Sequence, residues 1–265
     1  MRKVIGIQRD ERFSPNSVEK DLAILRAVVD FFNGELVPET AFSEYPVSLA
    51  SDFLVFSMAR LPQTLQYLTT LEQGGAIVIN SPRGVKNCMR SCLCQMMKEC
   101  NVPQPSAEGG NGYWLKRGDA AAQVRDDVCF CKDKAQLEQA KASFLARGVE
   151  DMVVQAHVKG DLVKFYGVEP EHYFAMFYPG DDGQFKFGDE EKNGKPNHYF
   201  FDEKKLKEYA EKLSSKVEVP IYGGDAIISP DGGLYIIDFN DWPSFSRCKE
   251  SAAQAIQKMA QKLVK

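Results

Sequence analysis

The 265-residue chain has 44% hydrophobic and 26% charged residues, which is the composition of a folded globular protein and not of a disordered one. Its 33 lysines and arginines against 37 acidic residues give a net charge of −4, which argues against wrapping of nucleic acid and against attraction to an anionic membrane. The first apolar run, residues 4–7, is too short for a signal peptide, and no later stretch approaches the about 20 apolar residues of a membrane span. We therefore expect a cytoplasmic protein.

Seven cysteines are present, an odd number, and four of them fall within one predicted helix: Cys88, Cys92, Cys94 and Cys100. Their spacing contains no C-x-x-C pair and no nearby histidine that would complete a zinc tetrahedron. Metal binding by these four stays open as an alternative. The expectation is that they are reduced and behave as small buried hydrophobic residues.

The N-terminal part of the chain alternates short apolar runs with helical periodicity. Strands are predicted at residues 4–7, 53–56 and 77–79, and helices at residues 18–32, 61–71 and 85–100. This alternation predicts βαβ units and hence a parallel sheet. The stretch 102–106 contains two prolines, which end the last helix because proline cannot continue one, and the first domain boundary is placed at residue 105.

Beyond that boundary the pattern predicts α+β structure. The predicted strands cover residues 113–116, 128–132, 152–155, 162–168 and 173–178, and the predicted helices cover residues 134–146, 203–216 and 247–265. A polar stretch, residues 179–197, is predicted to be a loop that contains a short strand. We expect three domains: an α/β domain of residues 1–105, a small lobe of residues 106–170 and a central lobe of residues 171–265.

A predicted β-hairpin over residues 224–240 carries two carboxylates. Asp231 and Gly232 are a signal for a two-residue turn, in which both positions need positive φ. This turn would place Asp225 directly opposite Asp238. Because side chains alternate along a strand, Asn240 would lie on the same face.

A second register stays open for this hairpin. If Pro230 takes the first turn position and Gly232 forms a bulge, Asp225 pairs with Ile237 and Asp238 becomes its diagonal neighbour. In either register the two carboxylates lie close enough to share a metal.

The carboxylate hairpin is the best candidate for a metal site in the sequence. Directly opposed carboxylates, with Cβ atoms about 4.5–5.5 Å apart, repel each other unless a cation lies between them. Carboxylate and amide oxygens suit Mg²⁺, which keeps some of its waters and shares phosphate oxygens with a nucleotide. The neighbouring strand residues are apolar on both faces, which predicts burial and favours a site over acids that simply face water.

The hairpin resembles the metal motif of ATP-grasp enzymes, because Asp225 is followed by Asp238-x-Asn240 and then by Trp-Pro-Ser-Phe, residues 242–245. Their usual form is Glu-x-Asn, so Asp238 is a slight departure. The resemblance implies an N-terminal parallel-sheet domain, on the substrate side, followed by a two-lobed ATP-grasp fold that clamps ATP. By the same resemblance, Asp225 and Asp238 would hold Mg²⁺ at the ATP phosphates and Asn240 would hold a second ion.

Upstream elements match those of ATP-grasp enzymes in order, across residues 113–246. The resemblance assigns Lys116, at the end of a strand, and Lys164, on a later strand, to the phosphates of ATP as catalytic and cofactor-binding residues. It assigns the backbone of Gln155, Ala156 and His157 to the edge of adenine. Each lysine is otherwise a solvated strand residue, and the assignment depends on their order ahead of the hairpin.

The segment 117–123, Arg-Gly-Asp-Ala-Ala-Ala-Gln, departs from ligases of this type, which have a glycine-rich phosphate loop there. It resembles the corresponding loop of inositol polyphosphate kinases with the ATP-grasp fold, which also favour Asp-x-Asn. The resemblance implies phosphoryl transfer from ATP to a small anionic acceptor, by a carboxylate–amine or carboxylate–thiol ligase that forms an acyl phosphate. A small-molecule kinase and a non-catalytic nucleotide-binding protein are the alternatives.

Arginines follow three predicted strands of the N-terminal sheet, at the edge where open α/β sheets bind ligands. They are Arg9, Arg60 and Arg83, and Arg247 after the hairpin could approach the same cleft and act in catalysis. A guanidinium group matches carboxylate or phosphate, so these four predict a small anionic substrate. Exposed loop arginines are the alternative. No nucleic-acid or membrane partner is expected, and a homo-oligomer stays open.

Overall fold

The computed structural model describes residues 2–44, 47–119, 125–181 and 194–264. The strands are β1 (Lys3–Gln8), β2 (Glu35–Pro38), β3 (Phe53–Ser57), β4 (Ile77–Ile79), β5 (Tyr113–Arg117), β6 (Val128–Cys131), β7 (Met152–Ala156), β8 (Asp161–Val168), β9 (Tyr173–Phe177), β10 (Ile221–Ile228) and β11 (Leu234–Asp241). The helices are α1 (Val18–Phe31), α2 (Pro62–Gln73), α3 (Pro82–Asn87), α4 (Arg90–Glu99), α5 (Lys134–Ala146), α6 (Glu203–Val217) and α7 (Lys249–Gln261). Most of the predicted loop 179–197 lies outside the described residues.

The N-terminal sheet has the strand order β2-β1-β3-β4, and all its strand pairs are parallel, as the βαβ pattern predicts. Strand β2 was missed in the sequence, because only one of its four residues is buried and so little periodicity is visible. The prediction of one continuous helix over residues 85–100 was wrong, because the chain forms two helices there, α3 and α4. Met89, whose ψ of 135° is extended, separates α3 from α4, and the apolar pattern on either side does not show this break.

A small sheet with the order β6-β5-β7 is antiparallel throughout. Helix α5 covers one face of it, and Leu115 packs there against Leu137 and Phe144. Asp133 begins this helix, because its side chain accepts a hydrogen bond from the Gln136 amide at 2.9 Å. We call this unit, β5 to β7 with α5, the lid.

The central sheet has the order β11-β10-β8-β9 and is also antiparallel. Helices α4 and α6 cover one face, where Phe165, Tyr222 and Ile236 are buried. Helices α1 and α7 cover one end of the other face, around Tyr166 and Ile221. The rest of that second face carries the predicted metal residues.

Buried polar contacts fix the parallel sheet against the central sheet. The Asn80 side chain, directly after β4, donates to the Ile221 carbonyl at 2.7 Å and accepts from the Ile221 amide at 3.0 Å. Trp242 donates from its indole to the Ile79 carbonyl at 3.1 Å. The carboxyl edge of the N-terminal sheet therefore lies beside the end of the hairpin.

All seven cysteines are free thiols. Among the described residues, no helix combines the length and the hydrophobicity needed to cross a membrane.

Candidate active site

The hairpin between β10 and β11 contains both of the predicted registers. Near the turn, Ile228 lies opposite Leu234 and Ala226 opposite Ile236, which is the register of the bulged alternative. Gly232 has a φ of +81° and provides the left-handed residue that such a turn needs.

Further from the turn, a bulge restores the first register. Ile237 is the extra residue, so Asp225 lies directly opposite Asp238. Ile236 and Phe239, on either side of the bulge, both belong to the core under α6. Without the extra residue Asp238 would face that core. The bulge therefore turns Asp238, and with it Asn240, to the other face of the sheet.

Lys164 lies in the same cross-strand row as the two carboxylates. It is the partner of Asp225 on β8, and its Nζ lies 3.1 Å and 3.3 Å from the two carboxylate oxygens of that residue. The row across the central sheet is Asp238, Asp225, Lys164 and Phe177. Both predicted acids and one predicted lysine are thus brought together on one face.

The next row contains Asn240, Gly223 and Tyr166. Gly223 leaves space between the two side chains, because a Cβ there would lie 2.8 Å from Pro243 and 3.0 Å from Tyr166. Burial, followed by the charge of Asp225, raises the pKa of Tyr166 to about 12. Tyr166 therefore lines the site as an uncharged phenol.

Lys116 reaches the hairpin from the lid. Its side chain is buried, and Nζ donates to the Ile237 carbonyl at 3.1 Å. Burial is the largest influence on this ammonium and lowers its pKa, and the charge of Asp238 opposes the shift. The bulge residue thus provides the carbonyl that holds the lid lysine beside the carboxylates.

Arg90, the first residue of α4, is a cation of this site that the sequence did not reveal. It lines one small pocket together with Lys116, Gln155, Ile237 and Asp238. It donates from Nη1 to a lid carbonyl at 3.2 Å, while its Nε is buried without a hydrogen-bond partner among the described residues. No motif marks it, because only the packing of α4 between the lid and the hairpin brings it here.

The charge of Asp238 is maintained by these cations. Burial alone would raise its pKa, but the opposing effects of Arg90 and Lys116, a hydrogen bond with Asn240 and the charge of Lys164 together lower it. The site therefore offers an ionised, partly enclosed carboxylate beside a second one.

The lid strand β7 places the three residues predicted to read adenine. The Ala156 amide donates to the Ser106 carbonyl at 2.7 Å, and the His157 amide donates to the Gly112 carbonyl at 2.8 Å. Gln155 is buried and lines the pocket. Both of these amides therefore already donate hydrogen bonds within the protein. The next amide along the chain is that of Val158, and in the described part of the chain it makes no backbone hydrogen bond.

The structure brings together two of the four predicted substrate arginines. Arg60 Nη2 lies 2.6 Å from Asp241 Oδ1, and Arg9 Nη2 lies 3.6 Å from Asp241 Oδ2. Arg9 also pairs with Asp21 at 2.9 Å and donates to the Trp242 carbonyl at 3.0 Å. These two guanidinium groups thus join the parallel sheet to the end of β11.

Arg83 and Arg247 lie elsewhere. Arg83 is exposed and pairs at 3.3 Å with Glu218, directly after α6, which covers the face of the central sheet opposite to the carboxylates. Arg247 donates to the Tyr178 carbonyl at 3.3 Å and lies 5.8 Å from the centre of the Phe177 ring, at the end of the carboxylate row. Arg247 therefore lies on the face of the central sheet that carries the carboxylates, whereas Arg83 lies away from that face.

No family model matches the chain, and no curated protein matches it in sequence. Solved structures do resemble it. D-alanyl-alanine synthetase A from Vibrio cholerae shares 11% identity over 98% of this chain and 99% of that one, with a TM-score of 0.68. A RimK domain ATP-grasp protein from Sphaerobacter thermophilus shares 15% over 98% of each chain, with a TM-score of 0.65. VanG D-Ala:D-Ser ligase from Enterococcus faecalis shares 12% over 98% and 99%, with a TM-score of 0.64. At these identities the likeness concerns the fold.

Proposed function

We propose that this chain, which has the ATP-grasp fold, uses Mg²⁺·ATP to phosphorylate a small anionic acceptor and acts as a carboxylate–amine or carboxylate–thiol ligase. One observation carries the proposal: Asp225 and Asp238 lie opposite each other with Lys164 in the same row. Lys116 and Arg90 approach this row from two other elements. Acids for a cation and cations for phosphates thus lie together where the lid meets the central sheet.

The hairpin fits Mg²⁺. Asp225 and Asp238 offer carboxylate oxygens from opposite strands, and Asn240 adds an amide oxygen on the same face. These hard oxygen donors are the type that Mg²⁺ prefers, and the ion would neutralise phosphate charge and polarise the transferring group. A cation here would also relieve the repulsion between the two carboxylates.

Three basic side chains support phosphate binding. Lys164 already offsets the charge of Asp225, whereas the Lys116 ammonium donates its hydrogen bond to a neutral carbonyl. Arg90 has a buried Nε without a described hydrogen-bond partner. Phosphoryl transfer depends mainly on positioning and on neutralising developing charge, which are the two contributions that such residues make.

We propose that adenine binds where α4 meets the lid, and the small pocket there, of about 10 Å³, would have to widen to admit a base. Leu93, Met97, Val153 and Ile237 line this pocket, with the polar group of Gln155 at its wall. We extend the predicted adenine contacts by one residue, to the Val158 amide. An adenine edge needs a hydrogen-bond donor as well as an acceptor, and the Ala156 and His157 amides are engaged within the protein.

The acceptor would bind beside Arg247, at the end of the carboxylate row. In the ligase reaction a carboxylate oxygen attacks the γ-phosphorus, the bond from that phosphorus to the bridging oxygen breaks, and ADP leaves. An amine or thiol then attacks the acyl carbon, loses a proton and displaces phosphate. Arg9 and Arg60, held by Asp241, would position the parallel sheet at this cleft and not bind the acceptor directly.

A kinase is the second candidate, and the observation that favours it is the shorter acid Asp238 in place of the usual glutamate. Much of the loop after Lys116, residues 120–124, lies outside the described residues. Purified protein with ATP, Mg²⁺ and a panel of amino acids and phosphorylated polyols separates the readings. A ligase releases ADP and inorganic phosphate together, and a kinase releases ADP without phosphate. Release of AMP would overturn both, and binding of ATP without turnover would favour a non-catalytic protein.

A further inference from the structure

A second cluster of metal-ligand side chains lies away from the hairpin site. It consists of Glu169, directly after β8, His172 in the turn before β9, and Glu211 on α6. One ligand atom from each of the three lies within 4.8 Å of the others. The proposed phosphoryl transfer uses none of these residues.

The spacing of this cluster is that of ligands around a small ion. His172 Nδ1 lies 3.4 Å from Glu169 Oε2 and 3.4 Å from Glu211 Oε1. Ligand atoms about 2.0–2.2 Å from a tetrahedral Zn²⁺ are about 3.3–3.6 Å from each other. Hydrogen bonds between nitrogen and oxygen are shorter, at about 2.7–3.2 Å. The two separations from His172 match those of ligand pairs around such an ion, and the one to Glu211 also allows a long hydrogen bond.

The charges of the cluster favour a cation. The carboxylates of Glu169 and Glu211 lie within 4.8 Å of each other and repel each other when both are ionised. Glu169 Oε1 is buried and has no hydrogen-bond partner among the described residues. Lys207 is the ammonium beside the cluster, with Nζ 3.0 Å from the His172 carbonyl and 3.6 Å from Glu211 Oε1. Its charge offsets that of one carboxylate.

Tyr222 is an independent sign of a ligand. Its side chain is fully buried, and among the described residues its hydroxyl has no hydrogen-bond partner. A Cβ on Gly167 would collide with this hydroxyl, and Gly167 precedes Glu169 by two residues along the chain. Burial, followed by the charges of Glu169 and Glu211, raises the Tyr222 pKa. The hydroxyl therefore lies against Gly167, on the strand that leads into Glu169.

We propose that Glu169, His172 and Glu211 bind a divalent transition-metal ion of the Zn²⁺ class, with Tyr222 donating to a ligating carboxylate. An imidazole with two carboxylates suits Zn²⁺ better than Mg²⁺, which prefers oxygen ligands alone. Three protein ligands leave a fourth position for water. Because the ligands come from the β8–β9 turn and from α6, the ion fastens that helix to the central sheet.

Calorimetric titration of the metal-free full-length chain with Zn²⁺ tests the proposal. We expect one Zn²⁺ to bind at the cluster, and His172→Ala and Glu211→Gln each to weaken this binding at least about 100-fold. His198→Ala is the matched control, because within the described part of the chain His198 lies beside one carboxylate, that of Asp181 at 3.0 Å. Wild-type affinity in His198→Ala and lost affinity in His172→Ala support the site. Equal affinities in the two histidine variants overturn it.

Three further measurements separate the cluster from other metal sites. Asp238→Asn alters the hairpin and should leave Zn²⁺ binding at the cluster unchanged. Bound Co²⁺ should show visible bands of a nitrogen and oxygen site without thiolate charge transfer, and thiolate bands accounting for all the bound Co²⁺ would overturn the proposal. Tyr222→Phe should weaken binding about tenfold. A purely structural Tyr222 would leave the affinity unchanged.

Discussion

Lys116 Nζ donates a hydrogen bond to the carbonyl oxygen of Ile237 over 3.1 Å. Lys116 is a buried residue of the lid, and Ile237 is the extra residue of the bulge in β11. The bond therefore connects the small sheet to the strand that presents Asp238. A phosphate that binds this ammonium would displace a neutral carbonyl and not a carboxylate. The exchange is favourable, because the charged phosphate is the stronger hydrogen-bond acceptor.

Loss of one hairpin carboxylate should abolish turnover. We expect Asp238→Asn to lower the rate of ADP release at least about 100-fold, because the change removes a negative ligand from the proposed Mg²⁺ site. Asp231→Asn, in the exposed turn of the same hairpin, is the matched control and should keep the wild-type rate. Equal rates for the two variants would exclude the hairpin from the chemistry.

Lys116 should make stability depend on pH. Burial lowers the pKa of this ammonium below its ordinary value of 10.5, so the folded chain binds fewer protons there than the unfolded chain. The sign follows: the free energy of unfolding rises with pH between the folded and the unfolded pKa. Urea denaturation of wild type and Lys116→Met, from neutral to alkaline pH, should show wild type gaining stability relative to the variant. A constant difference would contradict this.

Arg90 should contribute to nucleotide binding. We expect Arg90→Met to raise the KM for ATP about tenfold, the effect of losing one charge-assisted contact to phosphate. Arg26→Met, at an exposed position on α1, is the matched control and should leave the KM unchanged. An unaltered KM in Arg90→Met would show that this guanidinium serves packing alone.

Asp241 should be important for stability. Asp241→Asn leaves Arg9 and Arg60 buried without their shared carboxylate, and we expect it to lower the free energy of unfolding by about 3–5 kcal/mol. Urea denaturation measures the change. The double variant Asp241→Asn/Arg60→Met should lose less than the sum of the single variants, because the two residues interact directly. Strict additivity would contradict the coupling.

Local patterns predicted most of the secondary structure. Helix α5 was predicted at its observed bounds, Lys134–Ala146, and β4 likewise at Ile77–Ile79. The errors fall where local signals are weak. Strand β2 has a single buried residue, and Met89 interrupts a continuous helical pattern between α3 and α4.

The turn residues alone did not decide the register of the hairpin. The sequence allowed either pairing of Asp225, with Asp238 or with Ile237. The turn adopts one register and the bulge at Ile237 returns the strands to the other. Where a bulge forms depends on which residues the core under α6 accepts, and that is a property of packing.

By itself, the sequence determined that Asp238 and Asn240 lie on the same face of their strand, because strand alternation is a local property. That Asp225 shares this face depended on the bulge. The sequence also determined the order of Lys116 and Lys164 ahead of them. The tertiary structure alone decided the partners of the long basic side chains. Arg90 enters the site, Arg9 and Arg60 converge on Asp241, and Arg83 pairs with Glu218 outside it. The physical reason is that such side chains pair with whatever charge the packed elements bring near, and sequence spacing does not encode that neighbourhood.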